Sequence, residues 1–232
     1  DGYHGNYVHQ SWQKVLERAE EAPVREIKRY REGGCTRGMS FGHGLLERPG
    51  GLNPGASWTG RMMQKFPEYS EALRSRFSQE EIDDISARRN IFVFPNIYLF
   101  DTHIRVIRPV SVDYTEVTLN VYALRDVPDE LNEGRYRAHE RFYGPSGFGS
   151  PDDIEIFVSC QTGLKASGMD WVLLNRGQHR EVSENGERVG HSTDEPPTRS
   201  IYREWRRLMA NGEEAGAAPP ESAVRSLRSM AR

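Results

Sequence analysis

Two histidines stand five residues apart near the start of the chain, His4 and His9 in DGYHGNYVHQ, and histidine is scarce here, seven in 232 residues. Imidazole nitrogens brought close together are the raw material of a metal site. On an unbroken helix a spacing of four puts two rings on one face, whereas a spacing of five turns the second ring about 140° away. Both rings can meet one ion only if the helix breaks between them, and Gly5 and Asn6 are residue types that allow it. The competing reading is a capping or core histidine beside an ordinary one.

About 140 residues further on, YGPSGFGSPDDIEIF ends a glycine-rich hinge and opens a helix, with Pro151, Asp152 and Asp153 in its first turn. One acid there can cap the helix or complement its dipole, while its neighbour turns inward to a ligand. Two histidines and one carboxylate, with coordination positions left open, form the donor set of non-haem Fe(II) oxygenases.

The elements that must position these groups read as an α+β layout. Trp12, Val15, Leu16 and Ala19 recur at helical spacing within a helix from Ser11 to Arg31, and Pro23 divides off a second helix, VREIKRYRE. The glycine- and proline-rich stretch that follows reads as loop, with one short strand over Met39 to Leu46. A helical stretch from Trp58 to Arg88 contains a capping box, Ser78 with Glu81. From Asn90 to Val127, β-branched and aromatic residues alternate with polar ones, which predicts two or three antiparallel strands joined by a turn at Ser111 to Tyr114. Helices follow over Pro128 to Glu140 and through IEIFVSCQTGL. A last amphipathic helix, RSIYREWRRLM, sets Ile201, Trp205 and Leu208 opposite a solvated arginine face. Residues 211–232 read as a flexible tail, leaving 1–210 as one domain.

Composition narrows the function. A formal net charge of −3 argues against a nucleic-acid binder, and no apolar run approaches the roughly 18 residues that would span a membrane. Cys35 and Cys160 are too few and too far apart for a cysteine metal site, and read as reduced packing thiols in a cytoplasmic protein. His43 and His103 lie in or beside patterned segments and could face a pocket. His139, His179 and His191 read as solvated or packed.

Together, and in this order, the DGYHGNYVH opening, the NIFVFPN stretch and YGPSGFGSPDD resemble the catalytic domain of the large (alpha) subunit of Rieske-type aromatic ring-hydroxylating dioxygenases. The resemblance runs from the first residue to about Met209. It implies a helix-grip fold, a curved antiparallel sheet wrapped around a long helix. It also implies a mononuclear Fe(II) held by His4, His9 and Asp153. Asp1 matches a residue that bridges by hydrogen bonds to a cluster-ligating histidine of the Rieske domain in a neighbouring subunit, where electrons cross to this domain. Tyr143 matches a substrate-pocket aromatic, with Phe148 and Gly149 on the same wall. Some relatives carry a bulky aromatic where this chain has Gly149.

The Rieske CxH…CxxH motif is absent. The resemblance therefore implies that the [2Fe-2S] centre belongs to a domain N-terminal to this chain. It further implies NAD(P)H as electron source through a reductase, in some members with a ferredoxin. A homotrimer, or an α3β3 assembly with a small (beta) subunit, is expected. The opening and closing segments look nearest to members that act on benzoate-like acids, and Arg105 or Arg108 could pair with such a carboxylate. Two readings from other classes stay open at this stage: a zinc hydrolase or lyase using the same triad, and a metal-free helix-grip carrier.

Overall fold

The computed structural model describes residues 4–18, 33–48, 58–166, 168 and 170–210. Within them, β1 (Cys35–Gly38), β2 (Gly44–Arg48), β3 (Arg88–Val93), β4 (Ile97–Leu99), β5 (His103–Ser111), β6 (Tyr114–Val121), β7 (Val182–Glu184) and β8 (Glu187–His191) form a single sheet. Its spatial order is β6-β5-β4-β3-β2-β1-β8-β7, with antiparallel neighbours throughout. The helices are α1 (His4–Tyr7), α2 (Gln10–Arg18), α3 (Trp58–Lys65), α4 (Pro67–Arg74), α5 (Gln79–Ile85), α6 (Asp129–Tyr143), α7 (Ser150–Leu164) and α8 (Pro196–Ala210).

The turn over Ser111 to Tyr114 joins β5 and β6 as the pattern predicts, and the capping box is complete: Glu81 N–H donates to Ser78 Oγ, and Ser78 N–H donates to the Glu81 carboxylate. Other expectations need correction. Asn90 to Val127 yields four strands, because the turn over residues 94–96 and the bend at Asp101 cut the run twice before the Ser111 to Tyr114 turn. The single strand expected over Met39 to Leu46 is a hairpin, β1 and β2, around a 3-10 turn at Ser40–Gly42. The β7–β8 hairpin was not expected at all. The second helix, VREIKRYRE, and the tail lie outside the described residues.

Register decides which side chains meet. Directly opposed residues share a face, and successive residues alternate. Arg88, Asn90 and Phe92 of β3 therefore project to the side taken by Tyr98 of β4 and by His103 and Arg105 of β5, since Phe92 opposes Tyr98 and Tyr98 opposes Arg105. Helix α6 closes over this inner face. Its Leu131 is buried, and the buried Arg135 donates to the carbonyls of Tyr122 and Asp101. Helix α7 runs on to the β5–β6 turn, where Gln161 donates to Val112 O at 3.1 Å.

Helix α8 docks at the other end of the sheet, where Gly38 is required: a Cβ there would lie 2.4 Å from Pro196 O. Its buried residues are Pro196, Ser200 and Glu204, while Trp205 is 54% exposed. The face expected from Ile201, Trp205 and Leu208 is thus rotated. Small Ser200 admits the close approach, donating to Met39 O, and the Glu204 carboxylate is neutralised by Arg207.

Candidate metal centre and its aromatic wall

Helix α1 is a single turn, closed by Val8 N–H donating to His4 O at 2.9 Å. The chain leaves helical geometry at Val8 and His9 and re-enters it at Gln10, with Gln13 N–H bonding back to His9 O. The break that a spacing of five demands is therefore present, at Val8–His9 rather than at Gly5–Asn6. Gln13 Nε2 donates to Gly5 O at 2.8 Å and ties the two helices together. At the start of α7, Pro151 occupies the first turn and Asp153 N–H bonds Gly149 O, which turns the Asp153 side chain inward. Asp153 and His9 are buried.

These two segments bring three donor atoms together. His4 Nε2 lies 2.8 Å from Asp153 Oδ1, His9 Nε2 lies 3.3 Å from the same oxygen, and the two Nε2 atoms are 3.2 Å apart. Among the described residues they form a group able to hold a metal ion. With metal–ligand bonds of about 2.1 Å, donors at right angles sit about 3.0 Å apart and tetrahedral donors about 3.4 Å apart, so these separations suit one ion bound by all three. Burial pushes the Asp153 carboxyl up, but hydrogen bonds from His4 and His9 outweigh it and hold the group well below the usual carboxylate range. An anion is therefore present to offset a cation's charge.

His9 Nδ1 is buried without a hydrogen-bond partner, and the Asp152 carboxylate faces it at 3.6 Å. Ser11 Oγ donates to that carboxylate at 3.0 Å. Asp152 makes no capping hydrogen bond, the N-cap position being Gly149. It stands behind a candidate ligand, where a carboxylate fixes the ring so that Nε2 keeps its lone pair for a metal.

Sequence reasoning missed the ring that backs the histidines. Phe142 lies 5.0 Å from His9, 5.3 Å from Trp12 and 4.6 Å from Tyr143. Gly149 is explained by it, since a Cβ at that position would meet the Phe142 ring at 2.3 Å. Tyr143 continues the wall inward to His103 at 4.4 Å. Phe148 sits at the rim, 44% exposed and 6.2 Å from Trp12. The adjacency of Phe142 to Tyr143, and of Trp12 to His9 at helical spacing, are the signals that could have found this wall.

Among the other histidines, His103 is fully buried and His139 nearly so, and Thr102 Oγ1 stands 3.3 Å from Nδ1 of each. His43 Nδ1 accepts from Phe94 N–H, while His179 and His191 are exposed. Asp1 lies outside the described residues. A cleft of about 700 Å³ between α3, α4 and α5 shares no residue with the cluster.

Fold and site together define a class, and the chain belongs to it: residues 1–211 match the family of ring hydroxylating alpha subunits, over their catalytic domain. Among curated relatives, the 2-halobenzoate 1,2-dioxygenase large subunit of Burkholderia cepacia is 42% identical over 127 residues, 52% of this chain and 27% of that protein. The toluate 1,2-dioxygenase subunit alpha of Pseudomonas putida is 29% identical over 182 residues, 73% of this chain and 38% of that protein. Among solved structures, naphthalene 1,2-dioxygenase with indole bound in the active site superposes with a TM-score of 0.70 at 21% identity, over 88% of this chain and 48% of that one. The likeness to that structure bears on the fold, which is the helix-grip arrangement. The chain thus spans less than half the length of each of these proteins. No helix among the described residues is long and apolar enough to cross a membrane.

Proposed function

We propose that this chain is the catalytic domain of an aromatic ring-hydroxylating oxygenase, with His4, His9 and Asp153 holding one iron ion. The observation that carries the reading is the meeting of two imidazole nitrogens and one carboxylate oxygen beside a wall of Phe142, Tyr143 and Trp12. Bound there, iron supplies activation of O2. The chain's own residues hold the ion with three donors so that other positions stay open, and seat an aromatic ring against an apolar surface that keeps water away.

The overall reaction balances as arene, O2, NAD(P)H and a proton giving a cis-dihydrodiol and NAD(P)+. Single hydroxylation sends the second oxygen to water. Electrons arrive through a reductase, with or without a ferredoxin, and a Rieske centre outside this chain, and Asp1 carries the last step between subunits. Trimeric assembly, alone or with a small subunit, provides that neighbour. The names of the halobenzoate and toluate relatives support a benzoate-like substrate.

The test is metal analysis and O2 uptake of the full-length protein with its reductase and benzoate. Iron, with one O2 consumed per product formed, is the expected result. Zinc without O2 uptake would replace this reading with a hydrolase or lyase.

A further inference from the structure

On the inner face of the sheet, beside the aromatic wall, two guanidinium groups have no anionic partner among the described residues. Arg105 of β5 is half-buried, its Nε is buried without a hydrogen-bond partner, and no ion pair reaches it among the described residues. Its Cζ lies 5.0 Å from the Phe100 ring centroid and 5.8 Å from that of Tyr143, so two rings hold it in place. Arg88 of β3 projects to the same face and likewise has no carboxylate among the described residues. Their charges pull the Tyr143 phenol down against the larger upward push of burial, and the Asp153 charge pushes it up. Tyr143, 5.8 Å from Arg105 Cζ, packs 4.6 Å from Phe142, the ring that lies 5.0 Å from His9, and so links the cationic patch to the candidate metal site.

A guanidinium withdrawn from water without a counter-charge is costly, and several of the described arginines avoid it. Arg108, three residues from Arg105, is 63% exposed in its side chain and pairs with Glu116. Arg37, Arg89, Arg180 and Arg199 all have carboxylates. Stacking on aromatic rings stabilises a guanidinium and keeps it planar to a ligand, but leaves its hydrogen-bond donors unused.

We infer that Arg105, assisted by Arg88, binds the carboxylate of the substrate, so that the acid group sits on the sheet side of Tyr143 and the ring points towards His4, His9 and Asp153. This rests on the aromatic-oxygenase reading and adds to it a charge requirement: the substrate is an aromatic carboxylate, and Arg105 selects it over a neutral ring of the same shape. Charge-assisted bidentate pairing, available to arginine and not to lysine, supplies the selectivity.

The experiment is calorimetric titration of the full-length protein with benzoate and with nitrobenzene, its neutral isostere, for wild type, Arg105→Met, Arg105→Lys and Arg108→Met. Wild type should bind benzoate more tightly. Arg105→Met should weaken benzoate at least about tenfold and leave nitrobenzene within about twofold, with Arg105→Lys between and Arg108→Met unchanged. Retained nitrobenzene binding also reports that the variant is folded. Equal losses for both ligands, or no loss for benzoate, would overturn the assignment. Wild type that binds nitrobenzene as well as benzoate also overturns it while leaving an aromatic oxygenase standing. Wild type that binds neither would count against the aromatic substrate itself.

Discussion

Asp152 and Asp153 are chemically identical neighbours with different surroundings. Asp153 is buried against two imidazoles, whereas Asp152 is half-exposed, bonds Ser11 and faces the back of His9. An outer carboxylate of this kind typically contributes ten- to a hundredfold in metal affinity. Asp152→Ala is therefore expected to weaken Fe(II) or Co(II) binding about tenfold, with Ser11→Ala milder, measured by metal titration. Unchanged affinity in Asp152→Ala would show that His9 needs no orienting partner.

His103 gives a second expectation at this scale. Burial first, then the charges of His139, Arg105 and Arg135, bring its pKa down from 6.5 to about 3, and burial lowers His139 too. The folded protein keeps the His103 ring neutral and disfavours the charged form of His139, while the unfolded chain takes up protons from about pH 6.5 downward. Stability contributed by this cluster is thus complete above that pH and declines towards pH 3, by at most about 1.4 kcal/mol per pH unit for each proton. Urea unfolding between pH 6.5 and 4 should show that slope, and His103→Gln should flatten it. An identical slope in the variant would place the acid sensitivity elsewhere.

Elements were legible where one period dominates. The β5–β6 alternation, the helices α6 and α7 and the Ser78 capping box all follow from local pattern. The β7–β8 hairpin is short and polar, with all three residues of β7 exposed, so it carries no apolar alternation to read. Helix α8 shows the opposite failure. Its apolar stripe is real, but docking geometry chose the row of Pro196, Ser200 and Glu204, because the sheet beneath offers glycine at Gly38 and Gly44.

That His4, His9 and Asp153 belong together was legible through the family resemblance carried by motif order and separation; residue type alone left the choice between Asp152 and Asp153 open. The aromatic backing of these residues was not legible, since Phe142 and Trp12 meet only in the fold. If α8 docks through the close approach at Gly38, then Gly38→Ala must push Pro196 away, and overpacking of this kind costs about 1–3 kcal/mol. Thermal unfolding should fall by several degrees. An unchanged midpoint would mean that the helix end gives way freely.

At the scale of the whole molecule, the candidate ligands join the first turns of the chain to the start of α7, 149 residues later for His4 and Asp153. An ion held by both segments stabilises the folded chain by mass action, about 2.7 kcal/mol at a hundredfold excess over Kd. The most direct measurement is iron per chain, with product per iron, for His4→Ala, His9→Ala, Asp153→Ala and Asp152→Ala in the full-length protein. Removing Asp153 leaves two neutral rings to hold a divalent cation, and removing either histidine leaves two protein donors, so these three variants should lose iron and all turnover. Asp152→Ala should keep measurable iron and activity. If Asp152→Ala loses the metal while Asp153→Ala retains it, the two acids have been assigned the wrong way round. If none of the four changes iron content, the metal is not held here and the oxygenase account is contradicted.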